Sequence, residues 1–165
     1  RSDLEKLRGR HRGGHPRRAR LVSARGRSLG VILDTTVLIA AERKTLSMPR
    51  LLDDPSVDLV GIAAITVSEL LQGSLRTTCA DLRMRRAAFV EAIISHLPVL
   101  PFGEVEARRH ADLWAHLLKA GEMIGLHDLL IAATALANGH AVATLDRRDF
   151  ERIPGLRLVD LAPYQ

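Results

Sequence analysis

Three apolar residues, Val31-Ile32-Leu33, end on Asp34; Thr35 and Thr36 follow, and an apolar run resumes at Val37-Leu38-Ile39. A short apolar run bounded by polar residues fits a strand buried on both faces, as in a parallel sheet. Ala40 and Ala41 behind the second run favour helix. The pattern therefore predicts a strand over 31–33, a carboxylate at its carboxyl end, and a helix from Thr36 to about Glu42. A second strand and helix come later. Residues 58–63 predict the strand, and Thr66-Val67-Ser68-Glu69 reads as a capping box opening a helix that stops at Gly73. Between the two units, residues 46–52 predict a short helix with Pro49 near its start, ended by Asp53-Asp54-Pro55.

Downstream, residues 82–96 predict a helix with Phe89, Ile93 and Leu97 as its apolar stripe, and residues 98–102 a short edge strand. A helix over 104–120 is closed by Gly121. Gly125-Leu126-His127-Asp128 opens a helix that runs to Asn138-Gly139 and is apolar around nearly its whole circumference, which predicts burial. Residues 141–144 predict a strand, 145–150 a loop leading to a turn, and 157–159 a last short strand. Strands alternating with helices give an α/β domain with a mainly parallel sheet. No internal repeat and no second domain are visible. The apolar residues Leu46, Met48, Leu51 and Leu52 lie on short segments and suggest a groove for a partner peptide or a dimer face.

Charge divides the chain. The net charge is +5, but residues 1–30 carry ten Lys/Arg against two acids, and residues 31–165 fourteen against seventeen. The first segment has neither helical nor strand periodicity and predicts a flexible basic tail suited to polyanions; the domain proper, 31–165, is slightly acidic. Aromatics make up 3% of the chain, which disfavours a nucleic-acid binder that stacks bases on rings. One cysteine, Cys79, allows no internal disulfide and suits a reducing cytoplasm. No run reaches the roughly 18 apolar residues of a membrane span, and Asp34 interrupts a stretch that would otherwise look like a signal peptide.

Four acids recur at strand-to-helix junctions or in a first helical turn: Asp34, Glu69, Asp128 and Asp146. In a parallel sheet such positions share one edge, where ligands bind. Each has an ordinary explanation taken singly: helix capping for Asp34, the reciprocal acid of the capping box for Glu69, the helix dipole for Asp128 and turn chemistry for Asp146. Together they are like charges brought close, which is costly unless they are protonated or neutralised by a cation. Oxygen-only ligands point to Mg²⁺, with Mn²⁺ as the alternative ion, and such an ion activates water for attack on a phosphodiester. A phosphate-cradling Gly-rich loop is absent, the histidines and the cysteine lack zinc-ligand spacing, and Thr36 stands where a haloacid-dehalogenase phosphatase needs its second acid. His127, beside Asp128, is a candidate general base, though packing or solvent exposure explains it more simply, and Cys79 has no assigned role.

Four segments in this order resemble the PIN-domain family, most of all its VapC toxins of type II toxin–antitoxin pairs. They are Leu33-Asp34-Thr35-Thr36-Val37-Leu38-Ile39, Thr66-Val67-Ser68-Glu69-Leu70, Ile124-Gly125-Leu126-His127-Asp128-Leu129-Leu130-Ile131-Ala132-Ala133 and Thr144-Leu145-Asp146-Arg147-Arg148-Asp149-Phe150. Ile153-Pro154-Gly155-Leu156 extends the likeness, which spans about residues 31–162. The resemblance implies a three-layer α/β/α domain and a metal-dependent ribonuclease, usually a homodimer, held silent by a cognate VapB-like antitoxin. It implies Asp34 and Asp128 as the main Mg²⁺ ligands, with Glu69 and Asp146 completing the pocket and orienting water. Thr35, Thr36 and Thr144 would position water or phosphate. Either Asp146 or Asp149 fits the fourth place, and Asp146 lies closer to the strand. Arg147 and Arg148 are candidates for flanking phosphates, though a solvated turn explains them as well. Two other readings stay open: a non-catalytic nucleic-acid-binding module with a vestigial pocket, and a metal-dependent nuclease acting on DNA.

Overall fold

β1 (Leu29–Leu33) lies inside a four-stranded sheet of order β3-β2-β1-β4, flanked by β2 (Val57–Ala63) and β4 (Ala141–Ala143), with β3 (Val99–Leu100) at the edge. Every pair is parallel. The computed structural model describes residues 29–165. Most of the basic amino-terminal segment, residues 1–28, lies outside the described residues, while Leu29 and Gly30 belong to β1.

Register is what makes this sheet useful. Leu33 stands opposite both Ile62 and Ala143, so β1, β2 and β4 run out at the same level. The ladder extends one step further, with the Asp34 N–H donating to the Ala143 carbonyl at 2.9 Å. The segments leaving these strands therefore gather at one edge: Asp34 after β1, the start of α3 (Ala64–Leu75) after β2, and Thr144 after β4.

Alternation along the strands sends side chains to opposite faces and builds two cores. Val31 and Leu33 join Val37 and Leu38 of α1 (Thr35–Glu42), Leu51 of α2 (Met48–Leu52), Leu70 of α3 and Ile93 of α4 (Ala80–His96). Ile32 and Val142 face the other way. They meet Leu113 and Leu117 of α5 (Glu104–Ala120), Leu129 and Ile131 of α6 (Leu126–Ala137), and Phe150 of the single turn α7 (Arg147–Phe150). The result is the expected three-layer α/β/α arrangement. The helix expected to be buried all round is α6, whose residues Ile131 to Ala135 are each at most 1% exposed. Gly121 closes α5 at φ +70°, a left-handed conformation that glycine adopts without a Cβ penalty.

Several expectations need correcting. The capping box at Thr66 and Glu69 does not exist, because α3 begins at Ala64 and places both residues inside the helix. Gly73 does not stop that helix, which continues to Leu75. Residues 157–159 form no strand; Leu158 makes a single parallel bridge to Val142. The turn expected at the end of the loop after β4 is a single helical turn, α7, that starts already at Arg147. Leu46, Met48 and Leu51 are buried in the first core and Leu52 packs against it, so these apolar side chains complete the domain and do not line the groove or dimer face expected of them. The closing 3-10 turn Ala162–Tyr164 docks beside them, with the Ser47 N–H donating to the Tyr164 carbonyl at 2.7 Å and Tyr164 Oη to Asp54 Oδ2 at 2.6 Å. Among the described residues, no helix is long and apolar enough to cross a membrane.

Two glycines give opposite predictions. A Cβ on Gly30 would stand 2.3 Å from Nδ1 of the His140 ring, whereas one on Gly73 meets nothing within 4 Å. Gly30→Ala should lower unfolding free energy by about 1–3 kcal/mol through overpacking. Gly73→Ala should raise it by about 0.5–1 kcal/mol, as expected for glycine relieved of its entropy cost within a helix. Urea denaturation of the two variants measures both signs.

Candidate active site

Asp34 is the fixed point of the sheet edge. Its side chain caps α1, accepting from the Thr35 N–H at Oδ1 (2.7 Å), and Oδ2 accepts from Thr36 Oγ1 (2.7 Å) and Thr144 Oγ1 (2.8 Å). The carboxylate is 4% exposed and Thr144 2%, so these bonds satisfy a charge that burial would otherwise make costly. Thr36 also receives the Leu145 N–H at 3.1 Å, and Thr144 receives the Asp146 N–H at 3.0 Å. The two threonines thereby lock the segment after β4 against the start of α1. Both roles foreseen for Asp34, cap and pocket acid, fall on one carboxylate: the cap occupies one lone pair of Oδ1 and leaves the other.

Glu69, in the second turn of α3, is held from two sides. Thr35 Oγ1 donates to Oε2, and His127 Nδ1 stands 2.8 Å from Oε1. A carboxylate only accepts, so the proton of this bond sits on Nδ1. Asp128 lies in the first turn of α6, beside a backbone that leaves it room: a Cβ on Gly125 would come within 2.8 Å of Asp128 Oδ2. The Gly125 N–H donates to Asp149 Oδ2 at 3.3 Å, tying α7 to the same corner. Asp146 precedes α7, and its exposed side chain makes no capping bond.

These positions interact electrostatically. The Asp128 carboxyl is pushed up from 3.8 to about 6, first by burial and then by the negative charges of Asp34, Asp149, Glu69 and Asp146. The structure thus brings the four predicted acids into one field and adds Asp149, expected only as a substitute for Asp146. The signal for both together was there, since residues three apart on a helical turn lie on the same side. The pairing of His127 with Glu69 was not foreseen. It meets Glu69 across 58 residues of chain, a contact no local pattern encodes. The arginines after Asp146 divide: Arg147 pairs with Glu151 at 2.9 Å and donates to the Val159 carbonyl at 3.3 Å, while Arg148 is exposed. Arg147 is therefore engaged in holding α7 in place.

The donor set is compatible with a hard divalent cation. All candidate ligands are carboxylate oxygens, one of them with a proton affinity raised first by burial and then by its neighbours, the latter of which a cation would relieve. Among the described residues, no three acidic, His or Cys side chains are close enough to form a full ligand set. Mg²⁺ requires less than that, since it keeps several waters and takes one or two carboxylates. Asp34 and Asp128 are carboxylates of the kind such an ion takes, and the negative charges of Asp34, Glu69, Asp146 and Asp149 act on Asp128.

Comparison with known proteins agrees with the geometry. A family model described as PIN domain matches residues 31–156. Ribonuclease VapC1 of Rickettsia felis is 36% identical over 134 residues, covering 81% of this chain and 98% of that protein. Ribonuclease VapC of Rickettsia bellii is 37% identical and covers 79% and 96%. Among solved structures, DNA-bound VapBC from Salmonella typhimurium superposes with a TM-score of 0.72 at 32% identity, covering 81% of this chain and 98% of that one.

The displaced Asp128 carboxyl predicts a pH effect. Because it binds its proton more tightly in the folded chain than in the unfolded one, its contribution to stability is full below pH 3.8 and is lost as pH rises through about 6. In EDTA, this group should lower the melting temperature between pH 4 and pH 7. Asp128→Asn should flatten that part of the profile and stabilise the protein at pH 7 by about 1 kcal/mol, solvent screening of a half-buried carboxyl included. Thermal melts across this range measure the slope in both proteins.

Proposed function

The chain belongs to the PIN-domain family and, within it, to the VapC ribonucleases; on that premise we propose that it is a metal-dependent endoribonuclease and the toxin of a toxin–antitoxin pair. The observation that carries this reading is the convergence of Asp34, Glu69, Asp146 and Asp149 on Asp128, whose half-buried carboxyl they help to push toward neutral pH. The relatives named as ribonucleases support RNA as the substrate. Solved VapBC complexes support a VapB-like antitoxin as the partner, and the homodimer is what the family resemblance implies.

In this reading Asp34 and Asp128 hold Mg²⁺, with Glu69 and Asp146 or Asp149 completing the pocket. The bound ion neutralises the crowded acids and stabilises charge developing on the phosphodiester. The chain's own residues do the rest. Thr36 and Thr144 fix the Asp34 carboxylate from behind, so its orientation is set before substrate arrives. Thr35 and His127 fix Glu69, which then stands ready to accept a proton from the attacking water at a carboxylate oxygen. Asp146 and Asp149 extend the negative field toward the mouth.

The test is cleavage of a mixed RNA pool by purified protein with Mg²⁺, with EDTA, and with Asp34→Asn or Asp128→Asn. Cutting should vanish in EDTA and fall at least about 100-fold in each variant, as expected when a charged transition-state contact is removed. A melting curve separates loss of site from loss of fold, which matters for Asp34 because it bridges β1 and β4. RNA binding without cutting, indifferent to EDTA and to both substitutions, would return the acids to capping roles. Cutting of DNA in place of RNA would reassign the substrate.

A further inference from the structure

A cleft of about 120 Å³ opens between α1, α3 and α4, and it shares Thr35 and Glu69 with the acid cluster. Its floor is apolar, built by Ile39, Leu70, Phe89 and Val90. Its rim carries Glu42, Arg43 and Arg86. Arg86 is already anchored, since Nη1 donates to Thr77 Oγ1 at 2.7 Å and to the Gly73 carbonyl at 3.4 Å. Glu42 and Arg43 make no ion pair among the described residues, so both keep their hydrogen-bonding capacity.

We propose that this cleft is a base pocket, which receives the nucleobase next to the scissile phosphate and selects guanine. The proposal rests on the ribonuclease reading, because the pocket matters only if a strand passes Glu69. Three observations carry it. The cleft borders the acid cluster at one wall, where Thr35 donates to Glu69, so a nucleotide whose phosphate reaches Glu69 has its base beside the cleft. The volume of about 120 Å³ and the apolar lining, Phe89 among it, suit one flat nucleobase. The rim offers a carboxylate acceptor beside guanidinium donors. Guanine presents N1–H and N2–H donors for a carboxylate, and O6 and N7 acceptors for a guanidinium. Uracil lacks the amino donor, and adenine and cytosine present an amine where guanine presents O6. An anchored arginine adds selectivity, since little side-chain entropy remains to be lost on binding.

Two measurements on the full chain test this. The first maps the nucleotides flanking each cut in a randomised RNA pool. Guanine should be preferred by about tenfold or more, the discrimination of one good bidentate contact. Glu42→Gln should reduce that preference to within about threefold, leaving the melting temperature unchanged. Gly73 lines the cleft and a Cβ there meets no atom within 4 Å, so Gly73→Leu should fold, place its bulk at the cleft and slow cutting of all sequences. The second needs no cleavage: ¹⁵N-labelled protein is titrated with the four mononucleoside monophosphates. Amide signals of Ile39, Gly73 and Val90 should move with guanosine monophosphate at lower concentration than with the other three. Such shifts in a protein that cuts nothing would support the pocket while defeating the ribonuclease reading. Amides that stay still with all four nucleotides, or a base preference that survives Glu42→Gln, would assign the cleft to another occupant such as an apolar side chain of a protein partner, and would overturn the proposal.

Discussion

A buried carboxylate held by three donors is the constraint on which the rest of this structure depends. Asp34 leaves the sheet at the end of β1, caps α1, and accepts the hydroxyl of Thr144 from the end of β4. Buried without these donors, the charge would cost several kcal/mol. With them, it becomes a pin joining two strands and a helix at the edge where ligands bind. The parallel sheet makes the pin productive: because all four strands run the same way, the other acids arrive at that edge as a consequence of topology.

The cost of this arrangement appears at Asp128. Its helix, α6, is sunk in the second core and cannot drift away from the neighbouring charges, so burial first, and repulsion after it, are expressed as a raised proton affinity. The immobility has a use. Groups that must meet a cation and a phosphate within a narrow tolerance are best carried on elements fixed by packing. Here the packing is that of small residues, Ala132, Ala133 and Ala135, which let α6 approach the sheet and α5 closely.

The core strands and the main site acids were legible in the sequence because each rests on a local signal. β1, β2 and β4 are short apolar runs, and Asp34, Asp128 and Asp146 are polar residues placed where such runs or helices begin or end. For Glu69 the ordinary explanation fails. Thr66 and Glu69 have capping-box spacing, yet β2 passes into α3 at Ala63 and Ala64 with no polar cap, so tertiary packing set the boundary and the spacing was incidental. The burial of Leu46, Met48 and Leu51 was not legible either, because it depends on the carboxyl-terminal turn docking from more than a hundred residues away. His127 belongs to the same class: its ordinary appearance beside Asp128 concealed a contact made only when α3 and α6 come together.

The bond from Thr144 to Asp34 spans 110 residues, and that from His127 to Glu69 spans 58. Contacts this distant form after the loop-closure entropy between them has been overcome, which places them late in folding and makes them slow to acquire. The acid cluster has no local precursor: a chain folded only through β1, β2 and α4 would possess Asp34 and Glu69 but neither the partner that pins the first nor Asp128 to charge against. Assembly of the site is therefore coupled to completion of the sheet by β4. A nascent chain of this protein would remain chemically inert until its last strand arrives.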